Sequence, residues 1–129
     1  MRRFAMLMFA LVLQAALLPA ARAERPPESA EDATHIVVGT VESVFSYETR
    51  SNHHYVVKLI VESVEKGDGV AEGDAFYVEC FQRKKSAPQI PAPYGHKAIP
   101  KAEQRIRALI VREGPRSEGI YPRWFDVKR

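Results

Sequence analysis

The imidazole and thiol ligands available in this sequence for a soft metal are His35, His53, His54, Cys80 and His96. A closed zinc site needs two close-spaced ligand pairs, and only His53 and His54 stand close together. Neighbours on a strand face opposite ways, so those two chelate one ion only if the chain turns there. Cys80 with His96 is the remaining combination, either as metal ligands or as nucleophile and base. Against it, Cys80 shares an alternating face with Phe76 and Val78, where a cysteine acts as a small buried hydrophobe. No acid or amide is placed in the sequence to orient His96. The chain has no Gly-x-Ser-x-Gly, no His-Glu-x-x-His and no phosphate-cradling glycine loop. Glu42, Glu62 and Glu79 alternate with apolar residues and read as solvated strand faces, not as paired carboxylates. The sequence therefore assigns no catalytic residue and no cofactor, with Cys80, His96, His53 and His54 kept as metal candidates.

A second group of residues has the chemistry of recognition. Arg83, Lys84 and Lys85 form a basic triplet after an aromatic stretch holding Tyr77 and Phe81, and Tyr94, His96 and Lys97 follow in a proline-rich run. Cationic and aromatic side chains together grip extended chains, through charge on a polyanion backbone and through stacking on flat groups. The expected binding set is Tyr77, Arg83, Lys84, Lys85, Tyr94, His96 and Lys97.

Charge limits what that set can bind. The net charge of +3 reflects 19 Lys+Arg against 16 Asp+Glu. Arg2 and Arg3 precede the apolar run Phe4–Leu18, Pro19 ends it, and Ala21-Arg22-Ala23 places small residues where a signal peptidase reads. Residues 1–23 thus read as a secretory signal, because the apolar run Phe4–Leu18 is shorter than the ~20 residues of a membrane span. Without Arg2, Arg3 and Arg22, 16 bases face 16 acids and the formal charge is zero. The distribution is lopsided: 12 acids and 4 bases lie between Glu24 and Glu79, and 4 acids and 12 bases between Cys80 and Arg129. Strands from the two halves should pair and neutralise each other. A single cysteine in an exported chain rules out an internal disulfide.

These side chains must be positioned by strands. Tyr55–Val64 alternates Tyr55, Val57, Leu59 and Val61 against Lys58 and Glu62, the period of a half-buried strand. His35–Val44 is expected as a strand bent at Gly39, Ala75–Phe81 as a third and Gln104–Arg112 as a fourth. An irregular fifth strand is expected over Ile120–Val127, where Pro122 restricts it to an edge. Phe45–His54 and Glu113–Gly119 read as connections, and residues 24–33 as a flexible leader ending in a short packed turn. Four prolines, Pro88, Pro91, Pro93 and Pro100, exclude a regular element from much of Gln82–Glu103. Five short strands with turn-rich links predict an all-β fold, a small five-stranded OB-like barrel over residues 34–129. Its core is expected from Val37, Val41, Leu59, Val61, Phe76, Val78, Ile106 and Ile110.

The run Ile36-Val37-Val38-Gly39-Thr40-Val41-Glu42-Ser43-Val44, the strand end Val64-Glu65-Lys66-Gly67 and the strand from Gly73-Asp74 to Cys80 together resemble small exported OB-like domains. These include the netrin-like, tissue-inhibitor-of-metalloproteinase-like group and secreted bacterial proteins of that layout. The chain departs from the netrin-like group in lacking its disulfide cysteines, including the amino-terminal one used for inhibition, so that mechanism is not carried over. The sequence as a whole predicts a secreted or periplasmic, non-catalytic binding module, monomeric or weakly associating. Its expected partner is a protein or peptide. A nucleic acid or other polyanion on the OB face, or a metal held by Cys80 and His96, are the alternatives.

Overall fold

The computed structural model describes residues 26–85 and 95–129. The signal segment expected over residues 1–23, and Tyr94 with most of the proline-rich run, lie outside the described residues. Six strands follow in chain order: β1 (His35–Glu48), β2 (Asn52–Lys66), β3 (Ala75–Arg83), β4 (Arg105–Glu113), β5 (Arg116–Gly119) and β6 (Phe125–Val127). β1, β2 and β3 form an antiparallel meander, and β4 returns to pair with β1 over His35–Thr40. β5 closes the ring between β4 and β3, antiparallel to the first and parallel to the second through Glu79 and Glu118. The result is a closed five-stranded OB-like barrel, with β6 extending the β5 side of β4.

Alternation builds the interior. Val37, Val41, Leu59, Val61, Phe76, Val78, Ile106 and Ile110 point inward and are all at most 4% exposed. Burying each such aliphatic side chain contributes ~1.5–3 kcal/mol. Val57, Cys80, Ala108, Ile120 and Trp124 belong to the same cluster, with Ala33, Ile36 and Leu109. Gly39 makes the curvature possible: a Cβ there would drive into the carbonyl oxygen of Ile60, and register shifts flank it between Val38 and Gly39 and between Val41 and Ser43. Bulges and a bare backbone let one strand turn the corner of a small barrel.

Two expectations change. The polar stretch Phe45–His54 is not a connection, because β1 runs on through Glu48 and β2 begins at Asn52, leaving only Thr49–Ser51 between them. Phe45, Ser46, Tyr47 and Glu48 pair with Val56, Tyr55, His54 and His53, so the alternation persists beneath the polarity. The segment Glu113–Gly119 is not one long turn. It tightens at Gly114 (φ 57°) and then runs as β5 over polar residues, held by its pairing to β4. The fifth barrel strand therefore precedes Ile120, and the chain after it carries the cis Tyr121–Pro122 peptide before β6.

The leader ends in the expected turn, a 3-10 segment over Ala30–Asp32, followed by Ala33 in the core. Before it, the Glu28 amide donates to the Tyr121 carbonyl at 2.6 Å. The two charge halves interleave as anticipated. Arg105 pairs with Glu62 at 2.7 Å, Arg107 with Glu65 at 2.8 Å, Arg116 with Glu79 at 3.1 Å and Lys84 with Glu48 at 3.2 Å. Each joins an acid of the first half to a base of the second.

Candidate functional site

The extension of β1 and β2 beyond the barrel creates a surface that loop-reading of Phe45–His54 had hidden. On the outside of the sheet, cross-strand rows form in register: Tyr47, His54 and Phe81; Phe45, Val56 and Glu79; Ser43, Lys58 and Tyr77. Phe45, Tyr47 and Tyr77 are 55%, 53% and 51% exposed. Tyr47 stacks on His54 with ring centroids 4.9 Å apart and planes 7° from parallel, and His54 lies 6.2 Å from Phe81. Strict alternation from Val37, Gly39 and Val41 would turn Phe45 and Tyr47 inward; the register shift between Val41 and Ser43 puts them outside instead.

Charge on this face is locally matched. Lys58 reaches Glu42 at 2.6 Å, and that hydrogen bond and charge raise the Lys58 pKa. The hydrogen bond and charge of Glu79 likewise raise that of Arg116. A cleft of about 200 Å³ lies among Tyr47, His54, Phe81, Glu79, Arg116 and Glu118, with Tyr55 and Cys80 also lining it. The face thus presents flat rings bordered by ion pairs, which suits side-chain packing more than capture of a run of like charges.

The expected binding residues fall into separate places. Arg83, Lys84 and Lys85 line an open basin of about 560 Å³ at the hairpin tip, with Glu48, His53 and Gln82. Glu48 sits among them, bonded to Lys84 and 3.1 Å from His53 Nδ1. The Lys84 hydrogen bond, then the Lys84 and His53 charges, hold the Glu48 carboxyl below its usual range. Tyr77 lies at the other end of β3, opposite Lys58 and six residues from Arg83, ~20 Å along the strand. Lys97 is exposed and its amide donates to the Pro122 carbonyl at 2.8 Å.

His96 belongs to the interior, at 2% exposure, and not to the recognition surface. Gly95, at φ 103°, passes so close to β3 that a Cβ would meet the Phe81 carbonyl and the Gln82 Cα. The turn delivers the imidazole between β3 and β5. The Phe81 amide donates to Nδ1 at 3.1 Å, and Nε2 lies 2.9 Å from the Gly119 carbonyl. A carbonyl only accepts, so the hydrogen sits on Nε2. The ring thereby ties together the two strands whose ladder is thinnest. Glu118 lies 3.9 Å from Nε2, an acid that sequence spacing could not place there.

Cys80 is 3% exposed, and burial, then the Glu118 charge, push its thiol up to about 12. It is a protonated core residue at neutral pH, not a thiolate. His35 is also buried, with Nδ1 2.9 Å from Thr34 Oγ1 and Nε2 2.9 Å from the Asp68 carbonyl. His53 and His54 sit on opposite faces of β2, as strand geometry requires. Among the described residues, no three His, Cys, Asp or Glu side chains converge in a way that would hold a metal ion.

Barrel and face together define a small OB-like domain with an exposed aromatic sheet. Comparison with protein-family models, with curated proteins and with solved structures finds no match to the chain.

Proposed function

We propose that this chain is an exported, non-catalytic binding module that recognises a protein or peptide through the outer face of β1–β3. The observation that carries the reading is the in-register set of exposed rings, Phe45, Tyr47 and Tyr77, around the Tyr47–His54–Phe81 row, in which Tyr47 stacks on His54. Exposed aromatic clusters of this kind mark interaction sites, and rigid rings supply contact area at little entropic cost. The matched charges at the border favour a partner of mixed polarity. Export is supported by the pattern of residues 1–23.

The test is capture of partners from the extracytoplasmic fraction by the wild-type chain and by Phe45→Ser, Tyr47→Ser and Tyr77→Ser variants. Each substitution should lower partner affinity by about tenfold, the ~1.4 kcal/mol expected from one ring at a contact centre. Their folding stability should stay within ~0.5 kcal/mol of wild type, because all three rings are exposed. Unchanged affinity in all three variants overturns the reading.

The basin at Arg83–Lys85 supports a second reading, a polyanion or nucleic acid gripped at the hairpin tip. It requires heparin or single-stranded DNA binding that weakens steeply with salt and is lost in Lys84→Ala with Lys85→Ala.

A further inference from the structure

The last residues of β1 have an open side. The β1–β4 ladder ends at Thr40 and Arg105, followed only by Val41, whose amide and carbonyl meet Gln104 and Glu103. Among the described residues, nothing pairs with the outer edge of β1 from Ser43 to Glu48. Which backbone groups face that edge follows from alternation. The Thr49 amide donates to the Asn52 carbonyl at 2.9 Å across the hairpin end, so Tyr47, Phe45 and Ser43 also bond toward β2. Val44, Ser46 and Glu48 therefore present their amides and carbonyls outward.

We infer that this edge pairs with the same edge of a second copy, antiparallel about a two-fold axis at Ser46. The arrangement is self-complementary. Ser46 meets Ser46 in a hydrogen-bonded pair, and Val44 meets Glu48 of the second copy on either side, so every outward amide and carbonyl on both edges gains a partner. Phe45 then stands opposite Tyr47 of the second copy in the close, non-hydrogen-bonded positions, on the outer face where both rings are exposed. Charge agrees with this register. The two Glu48 side chains lie at opposite ends, and Arg50 of each copy approaches Glu42 of the other. Neither proline nor lysine interrupts the edge between Ser43 and Glu48. So short an interface makes a weak dimer, which forms with rising concentration.

The test is sedimentation velocity on the wild-type chain from ~1 μM to ~1 mM, a range that brackets weak association. Backbone amide exchange is followed at the same concentrations. The expected result is a monomer–dimer equilibrium, with the Val44, Ser46 and Glu48 amides becoming protected as the dimer forms. Ser46→Pro removes an outward donor without touching the β1–β2 ladder and should leave a folded monomer. Phe45→Lys with Tyr47→Lys opposes like charges across the axis and should do the same, should the proline variant fail to fold. A wild-type chain still monomeric at the highest concentration overturns the inference, as does a dimer that persists in the folded variants. Protection of the three amides only on adding a foreign peptide, in a chain that stays monomeric, also overturns it and gives the edge to that peptide. Dimerisation is read without any partner, so this result stands apart from the fate of the binding reading.

Discussion

His96 shows how much a single side chain can carry here. The direct β3–β5 bridge is Glu79 with Glu118, and the imidazole adds a second link by accepting from Phe81 and donating to Gly119. Replacing it by alanine strands a buried amide and a buried carbonyl, at about 1–3 kcal/mol for each unsatisfied group. His96→Ala should therefore lower the unfolding free energy by ~2–5 kcal/mol in urea titration. An effect under ~0.5 kcal/mol, the range of an ordinary surface change, would deny the ring that linking role. Cys80 makes a prediction of opposite character. Its thiol is raised from 9.0 to about 12 in the folded chain. The raised value means the fold holds the proton more tightly than the unfolded chain does. That contribution is complete below pH 9 and is lost as pH climbs from 9 toward 12. Wild type should thus lose stability over this window faster than Cys80→Ala, and its thiol should resist alkylation until the barrel unfolds.

At the scale of the strand, closeness of backbone to side chain decides what is tolerated. Gly119 in β5 lies under the Trp124 indole, so close that a Cβ would overlap the ring. Gly119→Ala should cost about 1–3 kcal/mol as an overpacked site, and Gly39→Ala at least as much because its obstacle is backbone. Thermal unfolding of the two variants measures both. The strands also show what the sequence could reveal. Val37, Leu59, Phe76 and Ile106 were legible because alternation and apolarity coincide in them. Phe45 and Tyr47 were not, because the tract Glu48-Thr49-Arg50-Ser51-Asn52-His53-His54 is polar enough to resemble a loop. Yet only Thr49–Ser51 turns there, and the flanking residues are polar because both faces of the hairpin end reach solvent. β5 was illegible for another reason: Arg-Ser-Glu-Gly has little intrinsic strand preference, and its conformation comes from β4 beside it. His96 looked like a surface residue since nothing in a proline-rich run announces that the chain doubles back onto Phe81.

Across the whole barrel, the separation of acids and bases along the chain becomes a stitching of one half to the other. Glu62 with Arg105 and Glu65 with Arg107 span β2, β1 and β4, and Thr40 adds its hydroxyl to Glu62 at 2.9 Å. The Arg105 hydrogen bond, first among the causes, lowers the Glu62 pKa. These partners are half open to solvent, so each pair contributes only ~0.2–1 kcal/mol. Glu62→Gln and Glu65→Gln should each destabilise by less than ~1 kcal/mol, and the difference from wild type should shrink in 1 M salt. A larger loss that salt leaves unchanged would mean the pairs are shielded from solvent. The overall charge layout therefore guides which strands meet, while the buried aliphatic residues supply most of the stability.

Trp124 is the sole tryptophan of the chain, 1% exposed against Gly119, and its indole N–H finds no acceptor among the described residues. Its fluorescence therefore arises from one dry location beside the β5 closure, and it should emit at short wavelength until that seam parts. Optical melting of the unlabelled protein, with the indole excited selectively, would then report the opening of the barrel wall itself, with no second tryptophan to blur the signal.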